Sequence, residues 1–84
     1  MYPRLRNLRE DKDLTQRKLG DIIGMSQTGY SKYETGENDI PTSILIELAS
    51  YYNTSVDYLL GVTDKKDPYP PSEEYITKFK NKIK

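Results

Sequence analysis

The 84-residue sequence has no cysteine and no histidine. Those absences exclude disulfides, thiolate chemistry, zinc sites built from the usual ligands and every nucleophile arrangement that needs an imidazole base. Most enzyme classes fall with them, and no cofactor is expected. The acidic pairs Glu10/Asp11 and Glu73/Glu74 are neighbours that splay apart on a helix, so they read as solvated groups and not as an acid/base pair. No phosphate-binding glycine loop is present. No apolar run approaches the roughly 20 residues that span a bilayer, and the opening MYPRLRNLRED lacks the apolar core of a secretory signal. A cytosolic chain with no membrane role is expected.

Charge of one sign is also lacking: 13 basic and 13 acidic residues give a formal net charge of zero and a pI of about 6.2. A strongly basic balance would point at nucleic acid, and this chain does not offer it. The charges are segregated, however. Residues 1–36 carry seven Lys/Arg and five Asp/Glu, residues 37–64 carry no Lys/Arg and five Asp/Glu, and residues 65–84 carry six and three. Leu, Ile, Val and Phe number only 18 of 84. That is near the lower edge for a folded chain, but zero net charge argues against a self-repelling disordered one, and eight tyrosines add packing area.

Strand signals are missing as well, whereas helical spacing recurs. Leu5 and Leu8 lie one turn apart behind Pro3, giving a first helix over about residues 3–12. Thr15 is an N-cap for a second helix carrying Leu19, Ile22 and Ile23, with Gly24 as its terminator. Ser26 caps a third helix with Met25, Tyr30 and Tyr33 on its apolar side, stopped by Gly36. Pro41 starts a fourth, with Leu45, Leu48, Ala49 and Tyr52 on one face. Ser55 caps a short fifth helix ended by Gly61. The expected fold class is all-α, with a compact domain over residues 1–63.

Residues 64–71 hold three prolines, each disfavouring helix in the residue before it, and read as a stiff Pro-rich linker. Residues 72–84 read as an amphipathic C-terminal helix with Tyr75, Ile76, Phe79 and Ile83 on one side. A helix of about 12 residues is marginal alone, so this tail needs a surface, on its own domain or on a second chain. It is expected to serve packing or oligomerisation, with a protein partner as the other option.

A helix, a three-residue turn containing glycine, and a helix with polar residues at its start make a helix-turn-helix arrangement. Its residues sharpen the reading. Leu14, Thr15 and Gln16, then Leu19, then Gly24 to Gln27, then Tyr33 to Gly36, then Pro41 and finally Ser55 to Gly61 together resemble the Cro/cI (XRE) family of helix-turn-helix transcriptional regulators. The resemblance covers about residues 4–61.

It implies a five-helix Cro/cI-repressor-like domain that binds double-stranded operator DNA, as a homodimer on a two-fold symmetric site, with its third helix in the major groove. Matched to the family pattern, Gln27, Thr28 and Lys32 take the base-reading positions, with Ser31 a fourth. Gln27 offers a donor and an acceptor to adenine, Lys32 a donor to guanine, and the Thr28 methyl a contact for thymine. Gln16, Arg17, Arg9 and Asn38 are the implied phosphate contacts. Arg9 and Glu34 match a partly buried ion pair joining the first helix to the third. Taken without the resemblance, Gln27, Thr28 and Lys32 read as an ordinary solvated helix face.

Four positions depart from the pattern. Gly20 replaces an alanine where the second and third helices approach, and Asp13 replaces a glycine. Lys18 replaces the glutamate of a capping box, and Tyr30 stands where a smaller apolar residue is usual. The function implied is transcriptional regulation, in the form of repression. The alternative is an antitoxin-like or anti-repressor module that uses the acidic residues 37–64 for a protein partner.

Overall fold

The computed structural model describes residues 2–70 and 72–74, and within them the chain forms five α-helices and no strand. Helix α1 spans Pro3–Asp11, α2 Gln16–Ile23, α3 Gln27–Thr35, α4 Thr42–Tyr51 and α5 Val56–Leu60. None of them is long and apolar enough to cross a membrane.

Local chemistry sets most of these boundaries. The fixed φ of proline suits the first turn of α1, where the missing N–H has no helical partner anyway. Thr15, Ser26 and Ser55 each turn a side-chain oxygen onto an amide three residues ahead: Lys18 at 3.0 Å, Gly29 at 3.1 Å and Tyr58 at 3.0 Å. Glycines 24, 36 and 61 close α2, α3 and α5. Between α1 and α2 the chain reverses through Asp13 at φ 56°, a left-handed conformation reached without glycine.

The apolar faces converge on one core of Leu5, Leu8, Leu19, Ile23, Tyr30, Tyr33, Leu48, Ala49, Tyr52 and Leu59. Leu5, Leu19, Tyr30, Leu48 and Leu59 are the large side chains that are fully enclosed, each leucine contributing about 1.5–3 kcal/mol of burial. Tyr30 meets Tyr33 edge to face with centroids 6.4 Å apart. The extra bulk of Tyr30 is thus absorbed inside the core, although among the described residues neither its hydroxyl nor that of Tyr52 makes a hydrogen bond of normal geometry.

Ile22 departs from the sequence pattern, which put it on the apolar face of α2; it is 41% exposed. The buried residues of α2 are Leu19, Gly20 and Ile23, so the helix turns its glycine inward. At about 100° per residue, Ile22 then lies roughly 100° from the middle of the buried face.

The first helix is closed against the last by Arg4. Its guanidinium donates to the carbonyls of Tyr58 (2.9 Å) and Thr63, reaches the Asp64 carboxylate at 2.6 Å, and lies 4.0 Å over the Tyr58 ring. Beyond it, residues 64–70 carry no helix. The Thr54 hydroxyl donates to the Lys66 carbonyl, and the Tyr69 hydroxyl donates to Asp57 at 2.9 Å. From residue 75 on, the tail helix expected over 72–84 lies outside the described residues.

Candidate nucleic-acid interface

Helices α2 and α3 are joined by Gly24, Met25 and Ser26 alone, and the geometry of that turn rests on two glycines. Gly24 takes φ 77°, and the Met25 amide then donates back to the Gly20 carbonyl at 2.8 Å. A Cβ on Gly20 would stand 2.7 Å from the Met25 carbonyl oxygen and 3.3 Å from that of Ser26. The start of α3 therefore lies directly on the backbone of α2, closer than any side chain at position 20 permits without movement.

This packing fixes which side of α3 faces outward. Tyr30 and Tyr33 point into the core, while Gln27 and Thr28 are exposed and Ser31 and Lys32 half-buried. These four positions, i, i+1, i+4 and i+5, share one side of α3. The Lys32 ammonium lies 3.7 Å from the Glu37 carboxylate, a pair whose side chains are 43% and 64% exposed. Such a pair contributes about 0–1 kcal/mol and is easily exchanged for another anion. The Asn38 amide donates to the Lys32 carbonyl at 3.1 Å, which brings the exposed Asn38 beside the end of α3.

Gln16 and Arg17 occupy the first turn of α2. Arg17 is exposed and has no ion-pair partner among the described residues. Gln16 is engaged inward, its amide donating to Glu34 at 3.2 Å.

Behind this surface stands a bidentate ion pair. Arg9 donates through Nε to Glu34 at 2.7 Å and through Nη2 at 3.2 Å, and its Nη1 reaches the Leu14 carbonyl at 2.7 Å. The two side chains are only 11% and 5% exposed. Burial by itself would raise the pKa of Glu34, but the hydrogen bonds from Arg9, with those of its other neighbours, outweigh it and hold the carboxyl below its ordinary value. The same hydrogen bond pushes the Arg9 pKa up. Burial first, then its polar contact with the Glu34 carboxylate, raises the pKa of the Tyr30 hydroxyl.

The structure thus brings Gln27, Thr28, Ser31 and Lys32 onto one face, with Arg17 and Asn38 exposed on the flanking α2 start and α3–α4 loop. Gln16 and Arg9 are arranged differently, with their polar atoms directed at Glu34. Sequence reasoning missed the link from Gln16 to Glu34, the pairing of Lys32 with Glu37 and the bridging role of Arg4. The i, i+5 spacing of Lys32 and Glu37 across a helix-ending glycine was the one available signal.

Comparison with known proteins identifies the family of the chain. A helix-turn-helix family matches residues 5–59. The chain is 43% identical over 65 residues to the uncharacterized HTH-type transcriptional regulator YobD of Bacillus subtilis (strain 168), covering 77% of this chain and 58% of that protein. It is 40% identical over 58 residues to the cryptic phage CTXphi transcriptional repressor RstR of Vibrio cholerae serotype O1, covering 69% and 52%. The antitoxin PezA of Streptococcus pneumoniae serotype 4 is 28% identical over 64 residues, covering 76% of this chain and 40% of its own. The chain therefore spans between 40% and 58% of the length of these relatives. No solved structure gives a significant match. The match over residues 5–59, carried by a five-helix domain whose second and third helices are joined by a glycine turn, places the chain in the XRE-type helix-turn-helix family.

Proposed function

We propose that this chain is a sequence-specific DNA-binding transcriptional regulator of the cytoplasm, a repressor that binds a two-fold symmetric operator as a homodimer. Helix α3 enters the major groove with Gln27, Thr28, Ser31 and Lys32 toward the bases. Arg17, Gln16 and Asn38 hold flanking phosphates, and Arg9 acts mainly by fixing Gln16 through Glu34. The observation that carries this reading is the outer face of α3. Gln27 and Thr28 stand exposed there, and both tyrosines of the helix are turned inward. Lys32 gives up only a weak, solvated partner on reaching DNA. The relative RstR, named a transcriptional repressor, supports repression.

The test is selection from a random duplex pool at near-physiological salt, followed by sequencing of the bound fraction. The expected outcome is a two-fold symmetric motif with half-sites about one helical turn apart. A pool that stays random overturns the reading. It would favour an antitoxin-like or anti-repressor module binding a protein through residues 37–64, for which the relative PezA is the specific support.

A further inference from the structure

Helix α3 carries a single basic residue, Lys32, and the Glu37 carboxylate stands 3.7 Å from its ammonium. The backbone that presents Glu37 is fastened to the end of α3. The Glu37 amide donates to the Thr35 hydroxyl oxygen at 3.4 Å, and that hydroxyl donates to the Lys32 carbonyl at 3.2 Å. The Asn38 amide donates to the same carbonyl at 3.1 Å. The acid is therefore a fixed part of the outer surface of α3, set beside its lysine by the turn at Gly36. Glu34, the other acid of this helix end, is turned inward onto Arg9 and leaves Lys32 to Glu37. Arg17, on the flanking start of α2, has no ion-pair partner among the described residues. The cation directed at the bases is thus countered, whereas the one directed at phosphates is not.

We infer that Glu37 is a specificity-determining residue that acts through Lys32: it occupies the lysine on duplexes of the wrong sequence and releases it where a guanine can receive it. The inference rests on the proposed reading of bases by α3. Phosphates line every duplex, so a lysine without a counter-charge at the groove gains affinity for all sequences alike. Exchanging Glu37 for a phosphate trades one exposed anion for another and leaves the carboxylate facing the duplex alone. That exchange gains little. Guanine instead presents O6 and N7 together on the major-groove edge, an acceptor pair that only the matching sequence places under Lys32.

Glu37 therefore lowers non-specific affinity more than operator affinity, and specificity is that difference. The size follows from the pair. Exposed ion pairs of this kind alter an equilibrium by up to about fivefold. Such a factor matters because wrong sites outnumber an operator so heavily in a genome that weakening all of them raises operator occupancy without a tighter operator complex.

Glu37→Gln removes the charge, keeps the side-chain shape and leaves the backbone bond to Thr35 in place. The full-length wild type, Glu37→Gln, Lys32→Ala and the double variant are titrated at several salt concentrations. The duplexes are an operator selected by the wild type from a random pool and a scrambled duplex of equal length and composition. Glu37→Gln should bind the scrambled duplex about three- to fivefold more tightly, with a salt slope steeper by about one, and the operator less than about twofold more tightly. In the Lys32→Ala background the same substitution should leave the ratio of the two affinities unchanged. Equal tightening of both duplexes by Glu37→Gln overturns the inference in favour of plain repulsion between the carboxylate and DNA. A fall in the ratio that persists without Lys32 overturns it in favour of a direct contact from Glu37. A ratio that does not move in Glu37→Gln, with the wild type still selective, overturns this inference alone. A wild type that selects nothing from the pool overturns the reading of α3 and this inference with it.

Discussion

Replacing Glu34 by glutamine should be among the most damaging single-atom changes in this domain. The substitution keeps the volume and one acceptor oxygen but removes the charge that Arg9 faces at 2.7 and 3.2 Å. With the Arg9 side chain 11% exposed and its third hydrogen bond fixed on the Leu14 carbonyl, the guanidinium cannot turn out to water without breaking α1 from the loop before α2. Removing one partner of a buried pair costs about 3–5 kcal/mol, because the other charge is left uncompensated. A chain of this length holds roughly 4–13 kcal/mol in total, so the variant should be severely weakened. Urea denaturation followed by circular dichroism at pH 7 reads the loss as a lower midpoint with an unchanged slope. The double variant Arg9→Met with Glu34→Leu should recover most of the stability, since an apolar pair of similar volume needs no desolvation of charge. Acid adds an internal control. Glu34 has a depressed pKa in the fold, so its contribution is complete above the unfolded carboxylate value near about 4.3 and is lost as pH falls through the folded value. The wild type should lose stability over that acid range more steeply than Glu34→Gln. A single-variant loss below about 1 kcal/mol, or a double variant weaker than the single, would refute the reasoning.

Gln27→Ala should relax sequence preference and cost about 1–3 kcal/mol on the selected operator, whereas Arg17→Ala should weaken all duplexes alike and lower the salt slope by about one, both read by titration at several salt concentrations. Gly20→Ala should destabilise by about 1–3 kcal/mol despite a propensity gain of about 1, because its Cβ would meet the Met25 carbonyl at 2.7 Å; thermal unfolding gives the sign. Asp13→Gly should stabilise by about 0.5–1 kcal/mol in the same assay by relieving a positive φ in a residue with a Cβ. Tyr52→Phe should leave stability unchanged or raise it by about 1 kcal/mol, since the hydroxyl removed is buried without a partner among the described residues.

The helix starts at Thr15, Ser26 and Ser55 and the stops at glycines 24, 36 and 61 were readable in the sequence because each is settled within four residues of chain. So was the inward turn of Tyr30 and Tyr33, which follows from helical spacing alone. The contacts that reading could not supply are those that depend on how helices lean on each other. Ile22 looked as apolar-facing as Ile23 until the close approach at Gly20 rotated α2. Gln16 was legible as the first residue of α2, but its bond to Glu34 spans 18 positions and depends on where α3 lands. Arg4 resembled any surface arginine on a helix start, because its acceptors lie 54 to 60 residues away.

That reach of Arg4 bears on how the domain assembles. The three-residue turn between α2 and α3 brings its helices together almost as soon as both exist. The meeting of α1 with residues 58–64 instead closes a loop of nearly the whole domain, and loop closure becomes more expensive with length. Contacts of such separation are made late and add little speed to folding. Once formed, they bind the two ends of the domain to each other, so fraying of the first helix must also release the last. Arg4→Ala should therefore make the amides of α1 and α5 exchange faster together, leaving those of α2 and α3 the slower pair.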